Sequence, residues 1–163
     1  MTAIDAGGRP DGPYAGIVTR AVAFVIDLVI LNGALFVVGL VIGLIIEAFG
    51  KFSPDWDAGG IAAVGVVWSL SFAIYFTTSW ALTGQTPGMR ALGIKVLPNK
   101  GGRLPPRRAL VRVFGMLAAA IPFFAGYLLI LVTERRRGLQ DLLARTVVVY
   151  VEKERPPVPY RRG

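Results

Sequence analysis

Arg20 and Asp27 are the only charges inside an apolar run that extends from Val18 to Ile46. Seven residues are two helical turns, so both side chains leave nearly the same face of a helix. Asp27 then lies roughly 10 Å beyond Arg20 along the axis. A short carboxylate at that depth cannot reach water, and against lipid its charge would cost about 2.5–3.5 kcal/mol or more. It is therefore expected to face protein or water and to be hydrogen-bonded there, or to be protonated part of the time. Two turns are too many for a direct pair with Arg20, so another segment must supply a bridging group. The hydroxyls of a second apolar segment (Ser69, Ser71, Tyr75, Thr77, Thr78, Ser79) and the arginines near a third are the available sources. Two chemistries suit such a carboxylate: it binds a cation or proton during transport, or it anchors helices or subunits to one another in lipid.

Other chemistries are excluded by residue type. The chain contains no cysteine and no histidine, which removes disulfides, thiol catalysis, Ser–His nucleophiles and the usual metal ligands together. No Gly-Lys-Ser/Thr occurs, so no P-loop exists, and Gly101-Gly102 closes a turn. No enzyme, cofactor or metal is expected. The net charge of +8 lies in loops that flank apolar segments and lack an aromatic platform, so nucleic acid is not the expected partner.

The elements that must position these residues follow from hydropathy. Of 163 residues 54% are hydrophobic, above the ~45–50% of soluble domains, and the excess is concentrated in three segments. The first, about 18–46, is long enough to cross a ~30 Å hydrocarbon core. A secretory signal peptide would have a shorter apolar region followed by a cleavage site. The second, about 61–82, carries no charge, and Trp56 and Trp80 fall near its two ends, where indole rings favour the headgroup layer. The third, 113–133, is uncharged but contains Pro122 near its middle, which deletes a backbone hydrogen bond and breaks or kinks a helix.

Charge orients the segments. The stretch 83–112 carries Arg90, Lys95, Lys100, Arg103, Arg107, Arg108 and Arg112 without one acid, whereas 47–60 is net acidic. Basic residues mark the cytoplasmic side, so the amino terminus and the long basic loop lie inside. Two β-like runs, 93–97 and 146–151, bracket the third segment. If they pair, the tail shares the cytoplasmic side, which favours a re-entrant hairpin broken at Pro122 over a kinked span. Arg107, Arg108 and Arg112 are expected to contact lipid phosphates from an interfacial helix, with Leu110, Val111 and Phe114 toward acyl chains.

Arg20 and Asp27 in a first membrane helix, the block Gly84-Gln85-Thr86-Pro87-Gly88-Met89-Arg90 through Val96, and the block Arg135 through Val149 containing Asp141 together resemble the RDD family of bacterial membrane proteins. The similarity extends over about residues 13–151. It implies a motif loop of Gln85, Thr86, Pro87, Gly88 and Arg90, and makes Asp141 the second family aspartate. It also implies a transporter-like role, sodium/proton exchange having been proposed for some members. Two positions depart from the family pattern: Met89 stands where a lysine is common and Gln140 where a histidine is common. A proton relay through that histidine cannot operate in this chain. Asp141 is expected to pair with an arginine of the basic layer, such as Arg90, or to cap backbone donors.

These readings combine into an all-α membrane protein with two transmembrane helices, a broken third apolar segment and a small cytoplasmic β element. A flexible stretch, 1–12, precedes the membrane domain 13–151, and a disordered tail, 152–163, follows it. The expected location is the bacterial inner membrane, multi-pass, with cytoplasmic ends. The expected function is transport of a cation or proton centred on Asp27 and Arg20, as an oligomer or subunit. The alternative is an accessory or scaffold protein that binds a partner membrane complex or anionic lipid.

Overall fold

The structure, a computed structural model, describes residues 13–49, 58–121 and 125–151. Trp56, Pro122 and the two terminal stretches 1–12 and 152–163 lie outside the described residues. The chain is mostly helical, with two helices long and apolar enough to cross a membrane: α1, Ile17–Phe49, and α2, Ala58–Thr83. Only 6% and 11% of their most apolar stretches are buried. The core helix of a soluble protein would be largely covered, so these faces need an apolar solvent.

Burial is confined to one end of the pair. On α1 the covered residues are Ala23, Asp27 and Leu31, spaced by four on one stripe, and none of residues 36–49 is buried. On α2 nothing from 59 to 71 is buried, whereas Phe72, Phe76 and Trp80 are. Aromatic rings bind the two helices at that end: Phe24 meets Phe72 edge-on at 6.2 Å between centroids and Phe76 at 5.7 Å. Trp80, expected in the headgroup layer, is instead 1% exposed. Its ring lies under the Arg112 guanidinium, 4.8 Å from the centroid. The cation–π contact and core burial hold it where a surface anchor was anticipated.

All the shorter elements gather at the same end. A brief helix α3, Pro87–Ala91, follows α2 and leads into strand β1, Ile94–Pro98. Helices α4 (Pro106–Ala120), α5 (Ala125–Val132) and α6 (Leu139–Ala144) precede strand β2, Thr146–Tyr150. The strands pair antiparallel with Val96 opposite Val148. The Ala15 N–H donates to Val148 O at 2.9 Å, and the Val96 N–H to Gly84 O at 2.8 Å, so both sheet edges have backbone partners.

The third apolar segment is two helices. At 1.5 Å per residue, the 15 residues of α4 and the 8 of α5 reach about 22 and 12 Å. Neither alone matches a ~30 Å core. α5 runs back along α4: the Tyr127 hydroxyl donates to Met116 O at 3.1 Å. A Cβ on Gly126 would stand 2.6 Å from Ala119 Cα, so that close approach requires glycine.

Candidate functional site

Asp27 is 1% exposed and is held by donors from two other elements. The Tyr75 hydroxyl of α2 donates to its Oδ1 at 2.9 Å, and the Gly88 N–H of α3 to the same oxygen at 2.8 Å. The Thr86 hydroxyl donates to Oδ2. The local sequence explains this. Thr86 is the N-cap of α3, accepting from the Met89 N–H at 3.2 Å, and Pro87 occupies the first turn, where no N–H is needed. The free N–H groups at that helix start then face an anion. Gly88 has to be glycine, because a Cβ there would stand 2.2 Å from the Ala23 carbonyl oxygen and 2.9 Å from Asp27 Cγ. Thr86-Pro87-Gly88 is thus the receptor for the Asp27 carboxylate. Gln85 supports the same turn by donating from Nε2 to Ile94 O at 2.9 Å.

Asp141 forms a second hub. It is 0% exposed, and its carboxylate accepts from Nη1 of Arg20 and Nη1 of Arg112, tying α6 to α1 and α4. The Gly138 N–H adds a bond to Oδ2 at 3.1 Å, and Arg112 Nη1 also reaches Thr146 Oγ1 at 2.8 Å. Arg20 spans further, donating from Nε to Ala15 O at 3.0 Å and from Nη2 to Arg136 O at 2.7 Å. Burial by itself would raise the Asp141 carboxyl; the Arg112 and Arg20 guanidiniums, with the Gly138 N–H, outweigh it and hold the group below the ordinary carboxylate value.

Several expectations change. Arg20 and Asp27, read as one centre, serve two different hubs, each carboxylate or guanidinium taking partners from remote segments because two helical turns separate them. Asp141 pairs with Arg112, an arginine of the basic layer as expected, and with Arg20 of α1; Arg90, the example named, is exposed. Arg112, expected at lipid phosphates, is 3% exposed, because Asp141 and Trp80 draw it inward. Arg107 is exposed and Arg108, one turn before Arg112 on α4, is half-buried. Among the second-helix hydroxyls, Ser69 and Thr78 bond back to the helix carbonyls of Gly65 and Ile74, leaving Tyr75 as the bridge.

Between the hubs lies a cavity of about 340 Å³ lined by residues of all six helices, among them Arg20, Asp27, Arg112 and Tyr127. Met89 and Gln140, the two departures from the family pattern, both line it. Nothing in the sequence announced this cavity, because its wall is assembled from six separate segments.

The family model described as the RDD family matches residues 14–145. An uncharacterized protein of Bacillus subtilis (strain 168), YxaI, is similar at 34% identity over 65 residues, 40% of this chain. The match spans 42% of the length of YxaI. No solved structure matches the chain.

Proposed function

The chain belongs to the RDD family, and from that premise we propose that it is an accessory protein of the bacterial inner membrane. Its buried charges build a rigid hub that holds a basic cytoplasmic face against anionic lipid. In this reading α1 and α2 cross the bilayer, and α4 and α5 form a re-entrant hairpin that returns to the cytoplasmic side.

One observation carries the reading: both buried carboxylates have their oxygens committed to donors of the same chain. A cation arriving at Asp27 would have to displace Tyr75, Thr86 and Gly88, and so undock α3 from α1. The carboxylate is therefore a structural anchor. The exposed Arg90 and Arg107 and the half-exposed Arg108 remain for headgroups, each such cation near an anionic surface being worth about 1 kcal/mol.

Cation or proton transport is the second reading, favoured by the place of Asp27 in the cavity wall. Proteoliposome flux separates the two. Wild type and Asp27→Asn are expected to show equal ion and proton flux, indistinguishable from protein-free vesicles. Flux above that background in wild type, lost in Asp27→Asn, would establish transport instead. Phosphatidylglycerol retained through purification is expected to fall in Arg107→Ala/Arg108→Ala; unchanged retention would remove the lipid-binding face.

A further inference from the structure

The two hubs leave the cavity between them without a task. Its volume of about 340 Å³ lies within the ~300–1,000 Å³ of small-molecule sites, which are mostly apolar with a few orienting polar groups. The wall fits that description: Phe24, Phe76, Met116 and Ile130 supply apolar surface. Three polar atoms of wall residues are nevertheless buried without a hydrogen-bond partner: Trp80 Nε1, Arg112 Nε and Gln140 Oε1. Native interiors leave few such groups unpaired, and here two donors and one acceptor belong to residues around one space.

Charge and access narrow the occupant. Arg20 and Arg112 share the single carboxylate of Asp141, so this end of the cavity carries one positive charge in excess. Asp27, two turns along α1 in the same wall, already takes donors from Tyr75, Thr86 and Gly88. Of the wall residues, Ala21 is exposed and Leu128 is 53% exposed. The cavity therefore reaches the apolar surface between α1 and α5, the face that acyl chains would cover.

We propose that the cavity binds one acyl chain with an oxyanion head. The chain lies along Phe24, Phe76, Met116 and Ile130. The head lies toward Arg20 and Arg112, where its oxygens accept from Arg112 Nε and Trp80 Nε1 in charge-assisted or neutral hydrogen bonds. A free fatty acid and one tail of an anionic phospholipid share this chemistry; the site is separate from the exposed Arg107–Arg108 face and does not depend on it.

Contact quenching of Trp80 tests this. The chain has three tryptophans, so Trp56→Phe/Trp68→Phe leaves Trp80 as the sole indole, in full-length purified protein. Titration with 9,10-dibromostearate is expected to quench it saturably. The neutral methyl ester is expected to bind at least about tenfold more weakly, for want of the charged head. Ala21→Phe and, separately, Leu128→Phe fill the exposed mouth and are expected to abolish the saturable phase while the protein still unfolds cooperatively. Arg107→Ala/Arg108→Ala is expected to leave quenching unchanged, which keeps this result distinct from the fate of the headgroup-binding face. Saturable quenching by dibrominated phosphatidylglycerol in nanodiscs, but not by free dibromostearate, would support the site and identify a phospholipid tail as its source. Non-saturable quenching by both probes, quenching untouched by both mouth variants, or an equally tight methyl ester would overturn the proposal.

Discussion

The carboxylate of Asp141 sits between two guanidiniums, and removing its charge leaves the buried Arg112 and the half-buried Arg20 without a counter-ion. Asp141→Asn is therefore expected to cost about 3–5 kcal/mol, the penalty for breaking a buried ion pair from one side. Asp27→Asn keeps the shape and one acceptor oxygen but sets an amide donor against hydroxyl and N–H donors, for about 1–3 kcal/mol. Denaturant unfolding in detergent micelles should rank the two in that order; an Asp141→Asn loss no larger than that of Asp27→Asn would mean that Asp141 is not the central tie. Acid adds a second measurement. The folded Asp141 carboxyl lies below the ordinary value, which in the unfolded chain is about 3.9. The unfolded chain thus takes up the proton first as pH falls. The stabilisation is present in full above about pH 5 and drains through pH 4 toward the lower folded value. This acid limb is expected to shrink in Asp141→Asn, and an unchanged limb would assign it to other carboxylates. Asp27 was legible in the sequence, since a charge in an apolar run must find polar company, and Tyr75 stood among its candidate partners. The partner of Asp141 was not: seven cations between residues 83 and 112 are equivalent to a sequence reader, and only the crossing of α4 over α6 selects Arg112.

Helix α3 shows how a short element can matter more than its length suggests. It has five residues and would not form alone; the Thr86 cap, the Pro87 start and the Asp27 carboxylate hold it. Gly88→Ala is expected to undock it, because no side-chain rotation relieves a contact of 2.2 Å with a backbone carbonyl. The loss should reach or exceed the ~1–3 kcal/mol of an overpacked core, read as a fall in the thermal midpoint. Gly33→Ala, on the same helix as Asp27 with nothing within 4 Å of its Cβ position, is the matched control and should hold or raise the midpoint. If both variants melted like wild type, the α1–α3 contact would not be close. At this scale the sequence was a good guide to α1, α2 and the strand pair, whose patterns are local. It misjudged Trp80 and Arg112 because each looks like an interface residue by type. Their burial follows from a mutual cation–π contact 32 positions apart in the chain, which no local pattern contains.

For the molecule as a whole, the decisive quantity is which side of the bilayer each end of the α4–α5 pair faces. The beginning of α4 and the stretch after α5 converge: Arg112 and Arg20 meet on Asp141, and Arg136 lies against the start of α1, its carbonyl accepting from Arg20. A single outward crossing between Arg107 and Arg135 would separate groups that the fold holds in hydrogen-bond contact. In the proposed topology both ends therefore belong with the start of α1 and the close of α2, while Phe49, at the far end of α1 and 90% exposed, belongs opposite. The chain has no cysteine, so single replacements report cleanly. In intact cells a membrane-impermeant maleimide is expected to label Phe49→Cys and to spare Arg107→Cys and Arg135→Cys, which react only after the membrane is opened. Labelling of Arg135→Cys together with Phe49→Cys, but not of Arg107→Cys, would turn the hairpin into a crossing, and would require the Arg20–Asp141–Arg112 cluster to sit within the membrane rather than at one of its faces. Labelling of Arg107→Cys and Arg135→Cys with Phe49→Cys spared would invert the whole orientation and remove the basic face from the anionic leaflet it is proposed to bind.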